Sequence, residues 1–329
     1  MRILVTFLLL WLFIFQTKAQ QNSADQSYQL VVGKSQSYNT YIQYKSYYLL
    51  TLMQELPDLR KAITEDPVLQ KLLKDKSDNA TAALKNCGQD VSCYANAMKF
   101  SEAEILLVDE RLKTLYKKEN AFGEVVKNHV LPSGCYGLFQ DLPAQQLLRK
   151  AWEQDAKAIN YAIEVYIEGK KPNYPKIDSI AFSSKDKEFP TFISSTIALN
   201  RGSDKKLFFE PSMNFALGAL ELNNRLEAAD YEPMNIGVNQ SAIAKIKKTN
   251  FKNYKYSVIL VPGAGPEDRE TELSAGGMIR CRIAAIQYHK GAAPFIVVSG
   301  GRVHPYKTKY SEAYEMKKFM VNTLHIPEN

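Results

Sequence analysis

The sequence predicts an α/β protein: a C-terminal part built on a parallel sheet, preceded by a mainly α-helical region. Three observations carry this. Val258-Ile-Leu-Val-Pro-Gly-Ala-Gly-Pro266 is a short β-branched run that breaks into glycines. Pro294-Phe-Ile-Val-Val-Ser-Gly-Gly301 repeats the pattern. A single helical stretch, 274–290, lies between them. Wholly apolar short runs are how strands of a parallel sheet read, buried on both faces and opening into loops at their carboxyl ends. In open α/β sheets those ends hold ligands.

The elements follow in order. Residues 1–19 read as an export signal: Arg2 gives a positive start, 3–15 is apolar, and Thr17-Lys18-Ala19 sets small residues where a signal peptidase reads. A thirteen-residue run is short of the roughly 20 that a membrane span needs, which favours a cleaved signal. Cleavage implies a periplasmic or secreted protein. Retention implies an inner-membrane anchor with the rest facing the periplasm. Residues 20–250 form the helical region. Tyr38, Tyr41, Tyr44, Tyr47 and Tyr48 crowd its start, either packing into a helix bundle or presenting an aromatic face to glycan. Ser101-Glu-Ala-Glu104 is a capping box, followed by Ile105, Val108, Leu112 and Leu115 at helical spacing. A helix over 143–168 carries Leu148, Trp152, Ile159, Ile163 and Tyr166 on its inner stripe, and Gly169 ends it. The β-branching and partial alternation over 177–182 and 191–197 suggest a small β insertion within 172–211. A helix over 212–230 shows one apolar face, Phe215, Ala219, Leu222, Leu226 and Ala229. A polar linker with a short helix at 240–247 precedes the α/β part, 251–329. There the strands are 257–261 and 295–298. The helices are 274–290, with Ile279, Ile283 and Ile286 as its expected core stripe, and 311–324, with Ser311 at the N-cap.

Two strands and two helices do not make a stable sheet by themselves. Either the 177–197 strands join it, or a strand follows Ile326-Pro-Glu. The expectation is a chain cut short.

Composition bounds the function. The chain carries a formal charge of +7, but its basic residues are scattered in small clusters such as Lys245-Ile-Lys-Lys248. This argues against a nucleic-acid partner and leaves room for weak attraction to anionic lipid or wall polymer. Of four cysteines, Cys87 and Cys93 flank a turn-prone loop and are the expected disulfide, which export permits. Cys281 reads as a buried thiol, and Cys135 has no assigned partner. His129, His289 and His325 lie apart, so no metal site is expected.

The candidate site residues cluster on two loops and two helix starts. Gly263 and Gly265 let backbone approach a ligand and point amides at an anion; the plain alternative is a tight strand-to-helix turn. The loop lacks the third glycine of a dinucleotide fingerprint and the Lys-Ser/Thr of a nucleotide-phosphate loop. Ser299, Gly300 and Gly301 close the second strand. Ser299 is a hydrogen-bond donor here rather than a nucleophile, because a nucleophile elbow wants glycine where Val297 stands. Arg302, His304 and Lys307 form a basic loop suited to phosphate or carboxylate, or simply a basic surface. His304 is a candidate acid or base. Arg280 and Arg282 are about 200° apart on one helix and cannot share a site. Glu312 either orients a ligand hydroxyl or complements the helix dipole.

These residues resemble the family named for the bacterial proteins YdcF, SanA and ElyC. The matching pieces are Val261-Pro-Gly-Ala-Gly-Pro266, Gly277-Met-Ile-Arg-Cys-Arg-Ile-Ala-Ala285, Tyr288-His-Lys-Gly-Ala-Ala-Pro-Phe-Ile-Val-Val-Ser-Gly-Gly301 and Ser311-Glu-Ala313. The resemblance runs over 256–329. It implies a Rossmann-like domain on the outer side of the inner membrane, a part in envelope integrity, peptidoglycan metabolism or lipid-carrier handling, and Arg280 as the site arginine. Members continue with a further strand and an acidic, His/Thr/Asn-bearing segment that completes the pocket; this sequence lacks it. The expected ligand is a small anionic or nucleotide-like molecule, with wall or lipid-carrier components as further partners. No cofactor and no reaction are assigned. The alternative is a non-enzymatic envelope scaffold or wall-binding module with a vestigial ligand domain.

Overall fold

Prolines and capping side chains cut the helical part into segments. The computed structural model describes residues 38–173, 185–201, 207–225, 237–302, 305 and 308–329. Helices α1 (Tyr38–Ser46) and α2 (Tyr48–Glu55) are divided by Tyr47 alone, whose backbone leaves the helical region. Pro57 and Pro67 open α3 (Pro57–Thr64) and α4 (Pro67–Asn86), where the missing N–H has no intrahelical partner to lose. Asp66 caps α4, its Oδ1 accepting from the Val68 and Leu69 amides at 3.1 and 3.0 Å. Its second oxygen accepts from Arg111 Nε at 2.7 Å. The Cys87–Cys93 disulfide closes the turn into α5 (Val91–Met98), as the sequence predicts. The Ser101–Glu104 capping box starts α6 (Glu102–Leu115), also as predicted.

The long helix α7 (Ala144–Tyr166) is the centre of this part, and α2, α6 and α9 (Glu210–Leu222) pack around it. Its predicted inner stripe is buried throughout. Trp152 sits edge-on between Phe100 and Phe208, each ring 5.3 Å away. Its indole N–H donates to the Ile105 carbonyl at 3.0 Å, which satisfies the one polar atom that burial would strand. Tyr44, Tyr47 and Tyr48 are buried as well, so these tyrosines serve the bundle. One prediction fails here. Residues 191–197 are not a strand but lie in a helix, α8 (Phe189–Arg201). Phe189, Ile193 and Ile197, four apart, all face inward, and that period outweighs local β-branching. The other expected strand, 177–182, lies outside the described residues, as do 226–236.

The C-terminal part has its own core. After α10 (Gln240–Ile246), strands β1 (Ile259–Pro262) and β2 (Ile296–Ser299) pair in parallel with Ile259 opposite Ile296 and Pro262 opposite Ser299. Helix α11 (Ala275–His289) connects them, and α12 (Glu312–Asn322) follows. The chain is thus of α/β class, mostly helical with a small parallel sheet, which has two strands among the described residues. A second correction concerns α11. Ile279, Ile283 and Ile286 are not its core stripe but stand 56, 56 and 53 % exposed. The buried side is Gly277, Cys281, Ala284 and Ala285. Small residues let the helix lie close on the sheet, leaving no room there for isoleucine. Ser311 holds the N-cap position of α12 but makes no side-chain cap bond.

Candidate functional site at the carboxyl ends of the strands

The last rung of the ladder, Pro262 opposite Ser299, starts two glycine turns side by side. Several tethers hold the first turn in shape. Ser274 caps α11 by accepting from the Gly277 amide at 2.9 Å, and its hydroxyl donates to the Ala264 carbonyl. Arg280, six residues after Ser274, donates from Nη1 to the Pro262 carbonyl at 3.0 Å and to the Gly263 carbonyl. Arg282 points elsewhere, its guanidinium 5.2 Å from the Phe319 ring centroid. The two arginines therefore do serve different faces, as their spacing requires.

The second turn is tied to α12. The Ala313 amide donates to the Gly300 carbonyl at 3.0 Å, and the Glu312 amide to the Gly301 carbonyl at 3.4 Å. Glu312 is the hinge of the arrangement. Its side chain lies between the two turns, so that a Cβ on Gly263 would collide with its carboxylate. A Cβ on Gly300 would come within 2.6 Å of its Oε2. Gly300 also has φ +146, a backbone state that glycine tolerates and other residues resist. Both glycines are needed here for one reason: a carboxylate occupies the space a side chain would fill. Glu312 Oε1 is shielded from solvent.

Of the predicted site residues, Gly263, Arg280, Gly300, Gly301 and Glu312 thus come together. Gly265 lies in the same half-buried turn. Ser299 is exposed at the end of β2. Arg302 is exposed on the second loop. His304 and Lys307 lie outside the described residues. Cys281 is buried, and burial pushes its thiol up to about 11, so it is an inert part of the core. Among the described residues no three His, Cys, Asp or Glu side chains gather as metal ligands would.

Sequence reading missed two contributors. Ser274 is legible as an N-cap from its place before the helix, but its bond to Ala264 belongs to the folded loop. Lys309 bridges the loops through Glu270 at 3.1 Å, and that hydrogen bond raises the Lys309 ammonium above its ordinary range. Nearby, Asp268 accepts from the Thr271 hydroxyl at 2.7 Å and from the Glu270 and Thr271 amides at 2.9 Å. These bonds hold its carboxyl below the usual range. Chemically, the site offers fixed carbonyls, a carboxylate that accepts, and exposed guanidinium groups that donate.

Comparison with protein-family models, with curated proteins and with solved structures finds no match for this chain.

Proposed function

We propose that this is an exported cell-envelope protein of the YdcF-like family, whose Rossmann-like C-terminal part binds a phosphorylated or nucleotide-like small molecule during envelope or peptidoglycan biogenesis. The observation that supports it is the convergence of Gly263, Gly300, Arg280 and Glu312 at the carboxyl ends of two parallel strands. That is where an α/β sheet holds its ligand. The Glu312 carboxylate repels phosphate, so it takes the hydroxyl-bearing end of the ligand, a sugar hydroxyl donating to it. Arg302, with the Arg280 guanidinium, takes the anionic end. His304, on the same loop, handles a proton. No metal or cofactor is assigned to this reading.

Calorimetric titration with nucleoside diphosphates and inorganic phosphate tests it. Arg302→Ala is the cleaner arm, because Arg280 also shapes the loop. The reading expects at least about tenfold weaker binding for each arginine variant, the loss of one charge-assisted contact. Unchanged affinity in both sinks it.

A second reading, an envelope scaffold with a vestigial ligand domain, is favoured by one feature: the helical part has a core of its own. Retention of residues 20–250 on purified sacculi supports that reading. Retention that requires the C-terminal part does not.

A further inference from the structure

Over residues 237–266 the chain carries five lysines and not one aspartate, glutamate or arginine. On the helical part, lysines are balanced locally: Lys71, Lys74, Lys150 and Lys157 each reach a carboxylate three or four residues away. Here they are not. Lys245 is occupied by the Asn329 carbonyl at 3.1 Å, but Lys247, Lys248, Lys252 and Lys255 are all exposed. The ion pairs of the C-terminal part are made by other lysines, Lys309 with Glu270, Lys317 with Glu328 and Lys318 with Glu315.

Tight turns gather these four cations at one end of the sheet. The Lys248 amide donates to the Lys245 carbonyl at 3.0 Å and closes α10. Asn250 then opens a single turn, Phe251–Asn253, its side chain accepting from the Lys252 amide at 3.2 Å. The Phe251 ring lies 6.0 Å from that of Phe295, the residue before β2. The Tyr256 amide donates to the Ala292 carbonyl at 3.0 Å, which brings the segment beside the turn after α11. There Lys290, also exposed, adds a further cation. This end holds the amino termini of β1 and β2, opposite the glycine turns.

Aromatic rings stand among the cations. Phe251, Tyr254 and Tyr256 are exposed, as is Ile246, and Lys255 Nζ lies 5.2 Å from the Tyr256 ring centroid. At a bilayer surface such rings enter the headgroup layer while a tyrosine hydroxyl stays wet. Lysines around them meet lipid phosphates as point charges that need no fixed geometry. A soluble anionic polymer would satisfy the lysines but offers no apolar layer to Phe251 and Ile246.

We infer that this end of the C-terminal part is a docking surface for an anionic lipid bilayer. Phe251, Tyr254 and Tyr256 enter the headgroup layer, and Lys247, Lys248, Lys252 and Lys255 meet the lipid phosphates. Docked in this way, the glycine turns at the other end of the strands face away from the bilayer. The inference does not rest on the ligand reading, and either stands if the other fails.

The test is co-sedimentation of residues 20–329, free of the apolar leader that would bind lipid by itself. The probes are vesicles of equal parts phosphatidylcholine and phosphatidylglycerol, and vesicles of phosphatidylcholine alone. The proposal expects at least about tenfold stronger partition onto the anionic vesicles. Lys252→Glu with Lys255→Glu should remove at least about tenfold of it, whereas Lys117→Glu with Lys118→Glu, the same charge change at exposed positions of the helical part, should leave it within about twofold. Circular dichroism checks that both double variants fold. Brominated lipid should quench the added emission of a Tyr256→Trp variant, Trp152 being buried. Equal binding to both vesicles, equal loss in both double variants, or bound protein whose added emission stays unquenched each overturns the proposal. So does RNA or polyglutamate that displaces the protein from the vesicles at equal charge concentration, which makes the patch a surface for soluble polyanions.

Discussion

Asp155 should make the helical part less stable as pH rises, against the usual behaviour of carboxylates. It is 1 % exposed in the middle of α7. Tyr47 gives α2 no side-chain cap, and Asp155 with Tyr136 supplies one from far along the chain. The Leu49 amide donates to the Tyr136 hydroxyl at 2.7 Å, and the Leu50 amide to Asp155 Oδ2 at 3.4 Å. The Tyr136 hydroxyl in turn donates to Asp155 at 2.9 and 3.0 Å. Burial outweighs these bonds and pushes the carboxyl from 3.8 up to about 8. A pKa raised in the folded state means that ionisation costs stability. The contribution is whole below the unfolded value, falls as pH climbs between the two, and is flat above the folded value. One unit is worth 1.36 kcal/mol, so between pH 6 and 8 the loss is roughly 2–3 kcal/mol. Asp155→Asn keeps an acceptor but cannot ionise. Urea unfolding of residues 20–329, in which Trp152 is the one tryptophan, followed by its fluorescence reports the helical core. The gap between variant and parent should move in the variant's favour from pH 6 to 8 and then level off. Tyr47, Tyr136 and Cys135 are raised chiefly by burial, which both proteins share, and only their smaller push from the Asp155 carboxylate is lost in the variant. Parallel curves from pH 5 to 9 would refute the reasoning and mean that the hydrogen bonds keep Asp155 ionised.

Three further outcomes are expected. Gly263→Ala should destabilise the C-terminal part by about 1–2 kcal/mol by expelling the Glu312 carboxylate, and should be neutral or better in a Glu312→Ala background. Gly300→Ala should stay costly in both backgrounds because its φ of +146 remains; double-mutant cycles in urea measure the difference. Replacing Cys87 and Cys93 with serine should cost about 2 kcal/mol for so short a loop, read as a lower thermal midpoint that matches the parent under reducing agent. Ile283→Gln should change stability by less than about 0.5 kcal/mol, whereas Ala284→Gln, one residue on, should cost several times more; thermal unfolding of both variants checks which face of α11 is inside.

What this sequence determined by itself is local. The Ser101–Glu104 box, the Gly169 stop, the Cys87–Cys93 staple and the two β-branched runs act within a few residues, where capping and backbone preference outweigh everything distant. They set the start of α6, the spans of α7 and α11 to within two residues, and both strands, and the glycines marked the candidate site. The tertiary structure decided the rest, because the deciding energies are between elements remote in the chain. Residues 191–197 are helical because Phe189, Ile193 and Ile197 find a core to fill. Ile279, Ile283 and Ile286 face outward because the sheet accepts only small residues beneath α11. Asp155 caps α2 across the bundle, and Glu312 settles between Gly263 and Gly300. Each of these rests on a neighbour's shape, which periodicity along a single chain does not carry.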